Sequence, residues 1–156
     1  MGSILAATAA WGQDATFQVR ALTPETALTA AKVALETCRN GGFQVAVAVV
    51  DRSGITQVLL RDRYAGAHTV EVATNKAWTS ASFRIPTAAL GVETAPDKPM
   101  SALRSVPRVM AAGGGQPIGG GGAHFGGIGV SGAPGGDADD ACAKAGIKAI
   151  ADALEF

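Results

Sequence analysis

Two histidines, His68 and His124, are the whole imidazole inventory of the chain, so any histidine ligand to a metal centre must be one of them. His68 opens a helix-patterned stretch, and the positive end of a helix dipole favours the neutral imidazole, which is the metal-binding form. The competing role for His68 is to help satisfy the free amides of that helix end. His124 stands among glycines, where a bulky planar ligand can approach closely; its alternative is an exposed turn residue. Lys76 and Thr79 offer an ammonium and a hydroxyl that can hold a carboxylate. Lys76 reads equally as a solvated helix residue whose stem covers apolar surface. At 100° per residue, His68, Asn75 and Thr79 fall on one helix face with Lys76 on its flank, and Tyr64 lies in the loop just before them.

Other chemistries find less support. Cys38 and Cys142 are far apart and belong to no Cys-x-x-Cys motif, which excludes the usual zinc and redox spacings and covalent haem attachment. Both fall in helical patterns as small buried hydrophobes, and in an exported chain they are also candidates for a disulfide. Met100 and Met110 are too isolated to form an axial ligand pair. Ser131 lacks the second glycine of a nucleophile elbow, because Ala133 stands in its place. No lysine lies between Lys98 and Lys144, so a phosphate loop of the Gly-Lys-Ser/Thr kind is absent. Gly127, Gly129 and Gly132 match a dinucleotide-type spacing, but they sit inside a strand pattern and not at a strand-to-helix turn.

The elements that must position these residues follow from local signals. Thr23-Pro24-Glu25 starts a helix with a capping hydroxyl, a proline at the first turn and an acid near the positive end. Ala27, Ala31, Ala34, Leu35 and Cys38 give it one apolar face, and Asn40-Gly41-Gly42 ends it. Phe43 to Val50 reads as a strand covered on both faces, and Ile55 to Arg61 as its hairpin return across Asp51-Arg52-Ser53-Gly54. A second helix is predicted from His68 to about Arg84, with Val70, Ala73, Ala77 and Ala81 facing the core. A short extra turn follows over residues 87–90. A long irregular loop over residues 91–107 then leads to a short strand at residues 108–111. A further strand is expected over residues 125–131, and a last helix capped by Asp137. Hairpins separated by helices indicate an α+β domain with a central antiparallel sheet of about five strands.

Residues 113–136 hold 13 of the 21 glycines. A linker would separate two domains, yet only about 20 residues follow the segment, too few for another core. The expected reading is two strands joined by a glycine-rich turn, whose bare backbone serves as a pocket wall or an interface.

Composition bounds the function. Lys plus Arg and Asp plus Glu number 13 each, so no basic excess points to nucleic acid. No apolar run approaches the roughly 20 residues that span a bilayer. Residues 1–15 resemble the tail of a secretory signal peptide or an unstructured arm, which favours a periplasmic or secreted location over a cytoplasmic one. Residues 22–156 form the single domain.

Several ordered motifs resemble one known family. Val47-Ala48-Val49-Val50-Asp51 with Gly54, His68 through Lys76-Ala77-Trp78-Thr79-Ser80-Ala81, Pro86-Thr87, Gly113-Gly114-Gly115 with Pro117-Ile118, and Gly127 to Gly132 are similar to the GlcG/HbpS-type haem-degrading domain family. The resemblance implies a profilin-like fold, self-association into homo-oligomers, and an exported haem-binding protein with at most a weak haem-degrading or iron-handling activity. It implies haem as the cofactor. His68 is the preferred iron ligand, His124 the other, and Lys76, Thr79, Asn75 and Tyr64 are further cofactor contacts. Two alternatives stay open: a pocket for a small organic (hydroxy) acid built from Lys76, Thr79 and glycine amides, and a non-enzymatic assembly module.

Overall fold

The computed structural model describes residues 15–155; the leader-like segment lies, apart from Ala15, outside them. Helix α1 spans Pro24–Asn40. Its start is the one the sequence encodes, with Thr23 Oγ1 accepting from Thr26 N at 3.2 Å. At its end Gly42 takes φ +85° and Phe43 N donates to Cys38 O at 2.9 Å, a glycine-dependent stop.

Strand β1 (Ala46–Asp51) pairs antiparallel with β2 (Thr56–Arg61) and, on its other side, with β4 (Ala123–Ser131). The hairpin turn is tied by Asp51 Oδ1, which accepts from Ser53 N and Ile55 N at 2.8 and 3.0 Å. Among the described residues strand β3 (Gly115–Gly120) pairs only with β4, so the sheet order is β2-β1-β4-β3 and β3 is an edge. Helix α2 runs His68–Phe83, a short α3 Thr87–Glu93, and α4 Gly136–Ile150.

Alternation along β1 decides the layers. Val45, Val47 and Val49 point into a core shared with Ala27, Ala31, Ala34, Ile128 and Val130, beneath α1 and α4. Ala46, Ala48 and Val50 point the other way, onto Ala73, Ala77 and Ala81 of α2. Large side chains on one face and small ones on the other therefore place two helices on one side and a single, closely seated helix on the other.

That close seating explains the glycine segment. A Cβ on Gly129 would lie 2.0 Å from Ala73 O, and one on Gly127 would lie 2.5 Å from Ala77 O. The bare face of β4 is thus filled by the backbone of α2, and the segment is strand, turn and strand as expected. On the opposite face, a disulfide joins Cys38 of α1 to Cys142 of α4, with 5.5 Å between Cα atoms.

Three expectations change. The described residues form four strands, not five, because residues 108–111 are irregular and the strand before β4 lies inside the glycine segment itself. Pro117 is tolerated there because an edge strand leaves one row of backbone groups unpaired. Asp137 does not cap α4: Gly135 holds the cap position, and Asp139 ties the approach by accepting from Ala133 N at 3.0 Å.

Candidate functional site

The residues that share one helix face on a projection do not share one environment. His68 is exposed at the first residue of α2, its ring lying over Gly66, and Tyr64 is 84% exposed in the preceding loop. Asn75 is half-buried. Thr79 is fully buried, because the loop after α3 crosses over it: its hydroxyl donates to Arg108 O at 3.2 Å and accepts from Met110 N at 2.9 Å.

Lys76 is also buried. Its ammonium donates to Asp139 Oδ2 at 2.8 Å and to Val130 O at 2.9 Å, joining α2, β4 and α4 in one polar knot. Burial pushes the Asp139 carboxyl above its ordinary value, while the hydrogen bond and charge of Lys76 pull it back. Asp140 completes the knot, accepting from Gly114 N at 2.9 Å and from Gln116 Nε2 at 2.8 Å. Gly115 N donates to Thr87 Oγ1 at 2.8 Å. The anion that sits against the Gly114 amide is therefore the chain's own Asp140 carboxylate.

His124 is placed differently. It is half-buried at the start of β4, and its Nε2 lies 2.9 Å from Ala81 O near the end of α2. A carbonyl only accepts, so Nε2 carries the proton and Nδ1 keeps its lone pair. Burial lowers the His124 pKa; the bond to Ala81 opposes this, and the charges of Arg84 and Arg52 reinforce it. The result is a neutral imidazole at neutral pH.

This histidine lines a cavity of about 450 Å³ together with Arg20, Arg52 and Arg84, closed by Gln18 and the Gly122–Ala123 corner. The three arginines come from the arm before α1, the β1–β2 turn and the end of α2. Sequence reading found only His124 of this set. The available signal was Arg84 itself, a charged residue just before Ile85-Pro86 where a helix end favours glycine; it adopts φ 59° and ψ 31°. Among the described residues no group of three histidine, cysteine, aspartate or glutamate side chains could hold a bare metal ion. No helix there is long and apolar enough to cross a membrane.

The layered antiparallel sheet with helices on both faces is the profilin-like α+β fold. The family described as haem degrading protein HbpS-like matches residues 22–148. A crystal structure of HbpS is 40% identical over 89% of this chain and 96% of its own, with a TM-score of 0.81. A double mutant of Streptomyces reticuli HbpS gives 39% identity over 92% and 96%, with a TM-score of 0.82. A PduOC:haem complex is 28% identical over 84% and 96%, with a TM-score of 0.79. No curated protein sequence matches. The chain belongs to the HbpS-like haem degrading protein family.

Away from the cavity, Asp62 supplies an acid-sensitive brace. Arg39 grips it with Nε at 2.9 Å and Nη2 at 3.0 Å, and this hydrogen bonding holds the buried carboxyl below its ordinary 3.8 against the cost of burial. The folded state therefore binds that proton less readily than the unfolded chain. The stabilisation is complete above pH 3.8 and is lost as pH falls through the lower folded value. Urea midpoints measured from pH 6 to pH 2 are expected to fall less steeply in Asp62→Asn than in the wild type. Asp139, with its raised value, contributes the opposite slope and is unchanged in that comparison.

Proposed function

We propose that this protein binds haem, with His124 Nδ1 as the atom that would hold the iron. The observation that carries the reading is the Nε2–Ala81 bond, since iron-ligating imidazoles are fixed in orientation and tautomer by a carbonyl on their second nitrogen. Family membership supports it, as does the haem held by the PduOC relative. Bound haem supplies iron redox chemistry; the chain's residues hold and orient it, and any haem breakdown is a slow consequence of that chemistry.

His68 is a weaker candidate than His124 because nothing encloses it. The Cys38–Cys142 disulfide supports an exported location, since such bonds persist in oxidising compartments. Exposed Ile55 and Leu59, at and beside the β2 edge, support self-association as homo-oligomers.

Haemin titration followed by visible spectroscopy tests the reading. A saturable Soret shift is expected for wild type and His68→Ala. His124→Ala is expected to bind at least about ten-fold more weakly, since even residues that only support a ligand contribute roughly 10–100-fold. Absence of saturable binding by wild type would sink the proposal.

A further inference from the structure

Positive charge is concentrated at the His124 cavity. The whole chain has a formal net charge of zero, yet among the described residues the cavity lining includes three arginines and no acid. Several other guanidiniums have close partners: Arg39 on Asp62, Arg61 on Ala65 O, Arg104 on Thr94 O, and Arg108 over the Trp78 ring. Among the described residues no ion pair holds Arg52 or Arg84. Asp51, the acid beside Arg52 in sequence, has its Oδ1 taken up by turn amides. Both arginines act on the same imidazole, so their charges converge on one volume.

Arg84 is also held where an L-residue is disfavoured. Its φ of 59° at the end of α2 is a position that suits glycine. Of the two non-glycine residues with positive φ among the described residues, Arg84 and Arg108, Arg84 is the one that lines this cavity, and such an outlier motivates a functional hypothesis. The volume, about 450 Å³, exceeds what one carboxylate or phosphate group fills and falls in the range of small-molecule sites. The Gly122–Ala123 corner and the arginine stems offer a carbon skeleton somewhere to lie.

We propose that this cavity is a receptor for a molecule carrying two carboxylates, taken up through Arg52 and Arg84. Guanidinium forks pair with carboxylates through two parallel hydrogen bonds, which gives geometry as well as charge recognition. Two sources have this chemistry: the propionates of haem, which rests on the haem reading above, and a free small dicarboxylic acid, which stands without it.

The test uses the full chain with its disulfide formed, with succinate, acetate, inorganic phosphate, haemin and haemin dimethyl ester as probes, read by calorimetry and thermal shift. Arg84→Gly is the informative variant, because it relieves the left-handed strain and is expected to melt no lower than wild type. Its affinity for succinate or for haemin is nevertheless expected to fall at least ten-fold, with a similar loss in Arg52→Ala. Succinate binding well above acetate and phosphate identifies the free acid; at least ten-fold weaker binding of the dimethyl ester than of haemin identifies the propionates. If phosphate or acetate equals succinate and esterification leaves haemin binding unchanged, the receptor is overturned. Binding that survives both arginine variants overturns it as well. Haemin binding lost in His124→Ala but indifferent to esterification and to Arg84→Gly would retain the haem reading and reject this one. Succinate binding lost in Arg84→Gly, with no haemin binding, would do the reverse.

Discussion

Gly129→Ala is expected to lose at least about 3 kcal/mol of stability, the upper end of the usual cost of overpacking. The added methyl would sit 2.0 Å from Ala73 O and 2.5 Å from Ala77 N, and both atoms belong to the α2 backbone. No rotamer change can relieve a clash with backbone, so α2 must move off the sheet or β4 must bend. Moving α2 would open the small-residue core of Ala46, Ala48, Ala73 and Ala77 and strain the Lys76–Asp139 bond. For a chain of this length, 3 kcal/mol corresponds to a melting temperature lower by roughly 6–12 °C. Gly135→Ala is the matched control: a Cβ there meets nothing within 4 Å, and its melting temperature is expected to stay close to wild type. Circular dichroism melts of the two variants check both outcomes.

The second large effect is covalent. The Cys38–Cys142 bond spans 104 residues, and closing a loop of about that size is worth about 4.7 kcal/mol in the chain-entropy account of disulfides. Urea denaturation with dithiothreitol is therefore expected to show a loss of about 4–5 kcal/mol. The Cys38→Ala/Cys142→Ala variant should match the reduced wild type and ignore the reductant. Equal midpoints for oxidised and reduced wild type would contradict this. The bond clamps α1 to α4 on one face only, so α2 depends wholly on non-covalent seating.

How much of this was legible follows from where each determinant lies. Helix α1 was readable because Thr23, Pro24 and the Asn40-Gly41-Gly42 stop act within a few residues of one another. The two-faced burial of β1 was readable because its valines and alanines alternate. Strand β3 was readable only as one half of a strand–turn–strand unit; its bounds were not, since Gly115-Gln116-Pro117-Ile118-Gly119-Gly120 has turn composition and only pairing with β4 makes it extended. A helical projection put Thr79 on an outer face, but the loop carrying Arg108 covers that face. Lys76 read equally as a holder of a ligand carboxylate and as a solvated residue, because its actual partner, Asp139, is 63 residues away. The cavity has the same character. Arg20, Arg52 and Arg84 belong to separate segments, and nothing local says that they converge on His124.

The glycine seam between α2 and β4 has a mechanical meaning. In most helix-on-sheet packing, interleaved side chains cushion small displacements, and each layer can repack as the other moves. Here main chain rests on main chain at Gly127 and Gly129, so a shift of one element is passed to the other undamped. Arg84 ends that helix and His124 begins that strand, with the Ala81 bond tying them just beside the seam. The backbone positions from which Arg84 and His124 extend are thus set by skeletal contact, in the way a machined joint sets a tolerance.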